Sequence, residues 1–290
     1  MQTLNDLAQP FCNENFSLLQ HGISDDPAID VYVNEQKDFA FLHPAPSVDY
    51  SNYIPRVKKF GLTDYKKGLH VIKRRFDKIA HHLKSDHRSL LEIGAGDGAF
   101  LKTVRGHLAH IHLTAMDQDQ NTLAPRAANS DENYDSLAEL ISSNKEYDVI
   151  CLFHVLEHIL QPADFLAEIR KLMSTQSLLI IEVPSLMDPL LSLYQNKTFS
   201  NFIFSSQHPY VYSPSSLGRL MEANGLKATE TVCFQRYGLE NHLNWLTQAQ
   251  PGGNREFQNT FKDLESEYMA KLELSGKTDT VIWIGTRGEK

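Results

Sequence analysis

Cysteine, tryptophan, positive charge and long apolar runs are all scarce in this 290-residue chain, and each scarcity excludes something. The three cysteines, Cys12, Cys151 and Cys233, lie too far apart for a local metal or redox pair. An odd, sparse count argues against a disulfide framework and fits a reducing compartment. Lys and Arg number 28 against 36 Asp and Glu, a net charge of −8. Phosphate binding needs surplus cations, so a generic nucleic-acid binder is disfavoured. No stretch reaches the roughly 18 apolar residues of a membrane helix. The longest runs, 149–156 and 178–183, are of buried-strand length. The N-terminus has no basic region followed by an apolar run, so no secretory signal is expected. What is present, 41% hydrophobic and 22% charged residues, suits a folded core and not a disordered chain. The expectation is a cytoplasmic protein acting on something small.

There is no internal repeat and no sustained heptad pattern. Residues 1–55 carry turn formers, as in HGISDDPAID and HPAPSVDYSNY, and read as a loop-rich extension. Residues 56–88 hold 11 Lys and Arg against Asp64, Asp77 and Asp86, a local charge of +8. Within them Leu69, Ile72, Phe76, Ile79 and Leu83 recur at helical spacing. The cations off this stripe are either a patch for an anionic substrate or the solvated face of a packing helix. From Ser89 onward strands alternate with helices. Strands are predicted over 89–93, 111–116, 147–153, 178–183, 226–234 and 279–285. Helices are predicted over 100–108, from Pro162, and from Ser213-Pro214 to Asn224-Gly225. Such alternation gives an α/β fold with a mostly parallel sheet covered by helices on both faces.

The strongest motif is Leu90-Leu91-Glu92-Ile93-Gly94-Ala95-Gly96-Asp97-Gly98. Glycines at alternate positions between a strand and a helix let the backbone turn sharply and a ligand lie against it. The Gly94, Gly96, Ala99 spacing also satisfies a dinucleotide fingerprint. Asp117, ending the second strand, suits ribose hydroxyls in either case. Glu92 discriminates: a carboxylate there repels a pyrophosphate but tolerates an amino-acid moiety with a neighbouring sulfonium.

LLEIGAGDGAFL resembles the first motif of class I S-adenosylmethionine-dependent methyltransferases. The resemblance continues through YDVICLFHVLEHILQPADFLAEIRKLM, LLIIEVPS and HPYVYSPSSLGRLMEANGL, covering about residues 60–290. By pattern the nearest members are small-molecule methyltransferases of sugar and polysaccharide biosynthesis clusters. The resemblance implies a Rossmann-like seven-stranded sheet with a reversed hairpin at one edge. It implies S-adenosylmethionine as cofactor, S-adenosylhomocysteine as product and no metal. The methionine part would lie near Glu92, Gly94, Ala95, Gly96 and Gly98, the ribose on Asp117 beside Gln118, and Phe153 and His154 along the cofactor. Asn133 or Asp135 would meet the adenine. The domain would span 56–290; the long connection 235–278 reads from its length as either a substrate lid or a helical packing or dimer arm.

The extension 1–55 is similar to a zinc-binding preface of some such enzymes, with two Cys-x-x-Cys pairs. Only Cys12 remains of these, so a degenerate, metal-free version is expected. Tyr50, Tyr53 and Arg56 would close over the cofactor or form a surface linker. An acceptor hydroxyl or carbon acid needs a base, and histidine suits that task. His158 follows the fourth strand, either as a base or in a structural helix-start role. His208 matches a catalytic histidine of similar sugar C-methyltransferases, although Gln207 stands where they carry Glu. Tyr210, Arg236, Tyr237, His242 and Trp245 are candidate substrate contacts: Arg for phosphate, Trp for a sugar face. The expected activity is methylation of a nucleotide-linked sugar on oxygen or carbon. A quinone precursor, lipid or RNA acceptor, and a non-catalytic binding subunit, are the alternatives. A homodimer is compatible with the insertion.

Overall fold

A computed structural model describes residues 10–47 and 65–288, with side chains omitted for 65–67. Tyr50, Tyr53 and Arg56 lie outside the described residues. A seven-stranded sheet forms the body. Its strands are β4 (Ser89–Ile93), β5 (His112–Met116), β6 (Glu132–Tyr134), β7 (Tyr147–Phe153), β8 (Met173–Pro184), β10 (Leu226–Phe234) and β11 (Thr280–Arg287). The spatial order is β10-β11-β8-β7-β4-β5-β6. Pairs from β8 through β6 are parallel, whereas β11 runs antiparallel to both β8 and β10. This is the mostly parallel sheet that the alternation of strands and helices predicts, with the reversed edge hairpin that the family resemblance implies. The interior of β7 and β8 is apolar on both faces, as helix cover on both sides requires.

Helices α1 (Tyr65–Ile79), α2 (Ala99–His107), α3 (Leu123–Ala127), α4 (Leu137–Ser142), α5 (Pro162–Lys171), α6 (Pro189–Ser192), α7 (Lys197–Ile203) and α8 (Pro214–Ala223) follow in chain order. Phe76 and Ile79 of α1 join Phe100, Leu101 and Val104 of α2 over one face of the sheet. Leu166 and Ile169 of α5 and Leu217, Leu220 and Met221 of α8 cover the other. The α1 stripe is buried at Phe76, Ile79 and Leu83, but Leu69 is exposed. Of the basic side chains off that stripe, Lys73 is exposed and paired with Asp77, whereas Arg74, Arg75 and Lys78 form neither an open anion patch nor a fully solvated face. Arg74 donates to the Gln235 carbonyl, Arg75 to Glu182 and Lys78 to Glu273, tying α1 to its own domain.

Within the expected loop-rich extension, the described residues build a sheet. β1 (Phe16–Gln20), β2 (Asp30–Asn34) and β3 (Phe39–His43) form an antiparallel meander, and β3 pairs with β9 (Tyr210–Tyr212). The strands are short and separated by turn formers, and the partner that completes the sheet is some 170 residues away. No local periodicity announces such a pairing. Phe39 stacks on Phe11 at 3.8 Å and faces Tyr212, so this sheet shares the core of the larger one. Around Cys12 and the expected second pair, polar bonds hold the meander. Asn15 donates to Glu35, Asn34 to Glu14 and Asp38, and Arg219 of α8 to Asp38.

The segment between β10 and β11 is helical: α9 (Leu239–Gln248), α10 (Arg255–Phe261) and α11 (Glu265–Leu274). Trp245 of α9 packs edge-on against Phe199 at 5.1 Å, and Leu190 completes the cluster. Asp279, at the foot of β11, accepts from the backbone N–H groups of Arg236 and Tyr237 and from the Gln235 side chain. No helix among the described residues is long and apolar enough to cross a membrane.

Candidate functional site

The carboxyl ends of β4, β5, β7 and β8 converge, which is where open α/β sheets bind ligands. At the end of β4 the chain turns through Gly94 (φ +74°) and Gly96 (φ +53°). A Cβ on Gly94 would lie 2.4 Å from Val155 Cγ2, so that glycine is required by packing and by backbone conformation. A Cβ on Gly96 would meet nothing within 4 Å. That open space beside a left-handed glycine is the cradle a ligand backbone contact needs. Gly98 (φ +74°) caps α2, and Ala95 is buried with its N–H on the Met116 carbonyl.

Asp117 closes the turn from β5. Its Oδ2 accepts from Gly96 N–H at 2.7 Å and its Oδ1 from Asp119 N–H at 2.8 Å. Gln118 beside it is exposed. Beneath both loops lies Arg126 of α3, which is fully buried. Its guanidinium donates to the carbonyls of Gly96, Asp117 and Asp119 and to Thr122 Oγ1. Sequence reading missed it, because a lone arginine in a five-residue helix carries no periodic signal.

Glu92 sits under the turn, 4% exposed, and its Oε2 has no hydrogen-bond partner. Burial pushes its carboxyl up to about 8; Arg75 opposes the rise, while Asp97 and Asp117 add to it. A buried, unsatisfied carboxyl beside an open glycine cradle fits the amino and sulfonium groups of a methionine moiety.

A second cluster starts where β7 ends. Phe153 packs on Phe100 and lies under the Arg75 guanidinium at 4.5 Å. His154 follows with φ +58°, a strained conformation for a residue with a Cβ and a mark of functional sites. Its Nδ1–H donates to Glu157 Oε1 at 3.1 Å. Its Nε2 lies 2.9 Å from Glu182 Oε1 and 2.6 Å from Arg236 Nη1. Glu182 is held by a bidentate pair with Arg75 at 2.6 and 2.7 Å, and Arg236 by Asp279. Burial works against Glu182, but Arg75 and His154 keep its carboxyl far below the usual range. Glu182 and Asp279 thus each engage a guanidinium group, of Arg75 and Arg236, while Glu157 engages His154.

Arg75, His154, Glu157 and Asp279 line a cavity of about 1620 Å³ that also receives His158, His208, Arg236, Tyr237, His242 and Trp245. Its far wall is the helical insertion. His158 Nδ1–H donates to the Gln207 carbonyl at 2.6 Å, and the His158 and His208 rings lie 5.0 Å apart. His242 is buried, bonded to Tyr268, and pushed down to about 4 by desolvation although Asp279 pulls the other way. Trp245 is only 3% exposed. Tyr210 does not line the cavity; it is buried, with its hydroxyl on the Leu160 carbonyl. Asn133 of β6 donates to Ser130 Oγ, and Asp135 faces Arg126 at 3.9 Å.

A family model described as a methyltransferase domain matches residues 65–231. The chain belongs to the methyltransferase-domain family. Its fold and family make it a class I S-adenosylmethionine-dependent methyltransferase. An S-adenosylmethionine-dependent methyltransferase from Archaeoglobus fulgidus has a similar fold, with TM-score 0.54 and 18% identity, over 82% of this chain and 100% of that one. A chain from the complex of the Haloferax volcanii Trm112 methyltransferase activator with a methyltransferase gives TM-score 0.53 and 13% identity, over 81% and 94%. The plantazolicin methyltransferase BpumL, bound to a desmethylPZN analogue and S-adenosylhomocysteine, gives TM-score 0.50 and 16% identity, over 83% and 93%. No curated protein sequence matches the methyltransferase significantly.

Proposed function

We propose that this methyltransferase methylates a small polar acceptor, a nucleotide-linked sugar, on oxygen or carbon. The observation that carries the reading is the adjacency of two sites at one sheet edge. A glycine cradle over Glu92 and Asp117 stands next to a cavity rich in hydrogen-bonding groups. When bound, S-adenosylmethionine supplies an activated methyl group, so the chain's task is chiefly alignment and handling of the acceptor proton. Glu92 and the turn Gly94–Gly98 would hold the methionine moiety. Asp117 would hold the ribose: each of its oxygens keeps a lone pair after accepting one backbone bond. Gln118 lies beside that position, and Phe153 and His154 border the cofactor on the other side.

On the acceptor side His158 and His208 are the groups suited to take a proton. Arg236, Tyr237, His242 and Trp245 line the wall that an acceptor would touch. Arg236 would neutralise phosphate only partly, because Asp279 already engages it. Residues 235–278 form that wall as a lid, and 56–290 is the catalytic domain. The test is a methyl-transfer screen of the purified protein against a nucleotide-sugar panel, read by mass spectrometry. A methylated nucleotide sugar is expected. Turnover confined to peptide, quinone or RNA acceptors would refute the acceptor class.

A further inference from the structure

We propose that Glu157, His158 and His208 form a binding site for one divalent transition cation of zinc-like ligand preference. One ligand atom from each lies within 4.8 Å of the others. Ligands around zinc sit at roughly 2.0–2.2 Å, so side-chain shifts of about an ångström bring all three onto one ion.

Two further observations point the same way. Glu157 is 2% exposed; His154 holds its Oε1, while its Oε2 is buried without a hydrogen-bond partner. One oxygen is thus anchored and the other is left for a cation, the arrangement of a ligating carboxylate with an orienting histidine behind it. His158 donates from Nδ1 to a backbone carbonyl, which in the neutral ring makes Nε2 the lone-pair nitrogen. That is how proteins fix the tautomer of a metal-bound imidazole. Two imidazoles and one carboxylate select zinc, cobalt, iron or manganese over magnesium or calcium, and leave coordination positions open. All three residues border the cavity. With an ion bound, the two imidazoles spend their lone pairs on it, and the ion, in place of a histidine base, would polarise an acceptor hydroxyl and lower its pKa. That consequence rests on the proposed function; cation binding does not, and the two can fail separately.

A second trio, His81, His82 and Glu230, is an internal control. There both rings already converge on the same Glu230 oxygen, at 3.0 and 2.6 Å, at the surface.

The test titrates the full chain, stripped with a chelator, with Co²⁺ followed by visible absorption, and with Zn²⁺ by competition. One saturable equivalent is expected, with ligand-field bands in the cobalt form. His208→Ala should weaken it at least about 100-fold, as loss of a ligand exceeds the 10–100-fold cost of an outer partner. His81→Ala should leave it unchanged. S-adenosylhomocysteine binding by calorimetry checks that the variant is folded, and His208→Gln is the fallback if His208→Ala is not. No saturable binding, or affinity lost with His81→Ala and retained in the His208 variants, would overturn the site.

Discussion

At the scale of single residues the site trades stability for a poised charge. Glu92 is raised from 4.5 to about 8 in the native state, so the folded protein holds a proton that the unfolded chain has lost. Native stability therefore falls as pH rises from about 4.5 toward 8. A tenfold change in proton affinity is worth about 1.4 kcal/mol, so the Glu92→Gln variant should melt higher than the parent at pH 8. It should also bind S-adenosylhomocysteine more weakly, by roughly 1.5–3 kcal/mol for a lost charged hydrogen bond. Calorimetry in buffers of different ionisation enthalpy should show proton release on binding near pH 7 in the parent only. Arg126→Met would strand several loop carbonyls, each costing about 1–3 kcal/mol, and should weaken cofactor binding and stability together. Glu92, the glycines and Asp117 are legible in the sequence because a short motif carries them. Arg126, Glu157, Glu182 and Asp279 are not: they become neighbours only when four separate strand ends and loops converge.

At the scale of elements, the strands and helices of the large sheet follow from local pattern. β7 and β10 begin and end where the sequence places them, and Pro162, Ser213 and Gly225 stand at the helix limits that their chemistry predicts. The N-terminal meander and β9 escape such reading because three- to five-residue strands hold too little periodicity. Phe39 stitches that meander to the core, so Phe39→Ala should cost about 3–5 kcal/mol in denaturant unfolding. The insertion is held by Trp245 and by a neutral His242. The native ring stays unprotonated down to about pH 4, while the unfolded ring takes up its proton near 6.5. The unfolded state then binds more protons, so stability present above pH 6.5 is lost as pH falls toward 4. Relative to the parent, the His242→Asn variant should therefore fare better in thermal melts at pH 5 than at pH 7.

At the scale of the whole molecule, charge is a poor guide to partners. The −8 total conceals a +8 segment, and three of its cations, Arg74, Arg75 and Lys78, are turned inward on the methyltransferase's own groups, while Lys73, Lys84 and Arg88 stay exposed. What the fold achieves is convergence: the carboxyl edge of one sheet sets an open glycine cradle beside a cavity walled by the helical insertion. The most direct test is a crystal structure with S-adenosylhomocysteine. Its amino-acid moiety is expected by Glu92 and Gly96, its ribose on Asp117, and its sulfur facing the His158–His208 side of the cavity. A ligand bound elsewhere, or one whose sulfur faces away from those histidines, would contradict that arrangement.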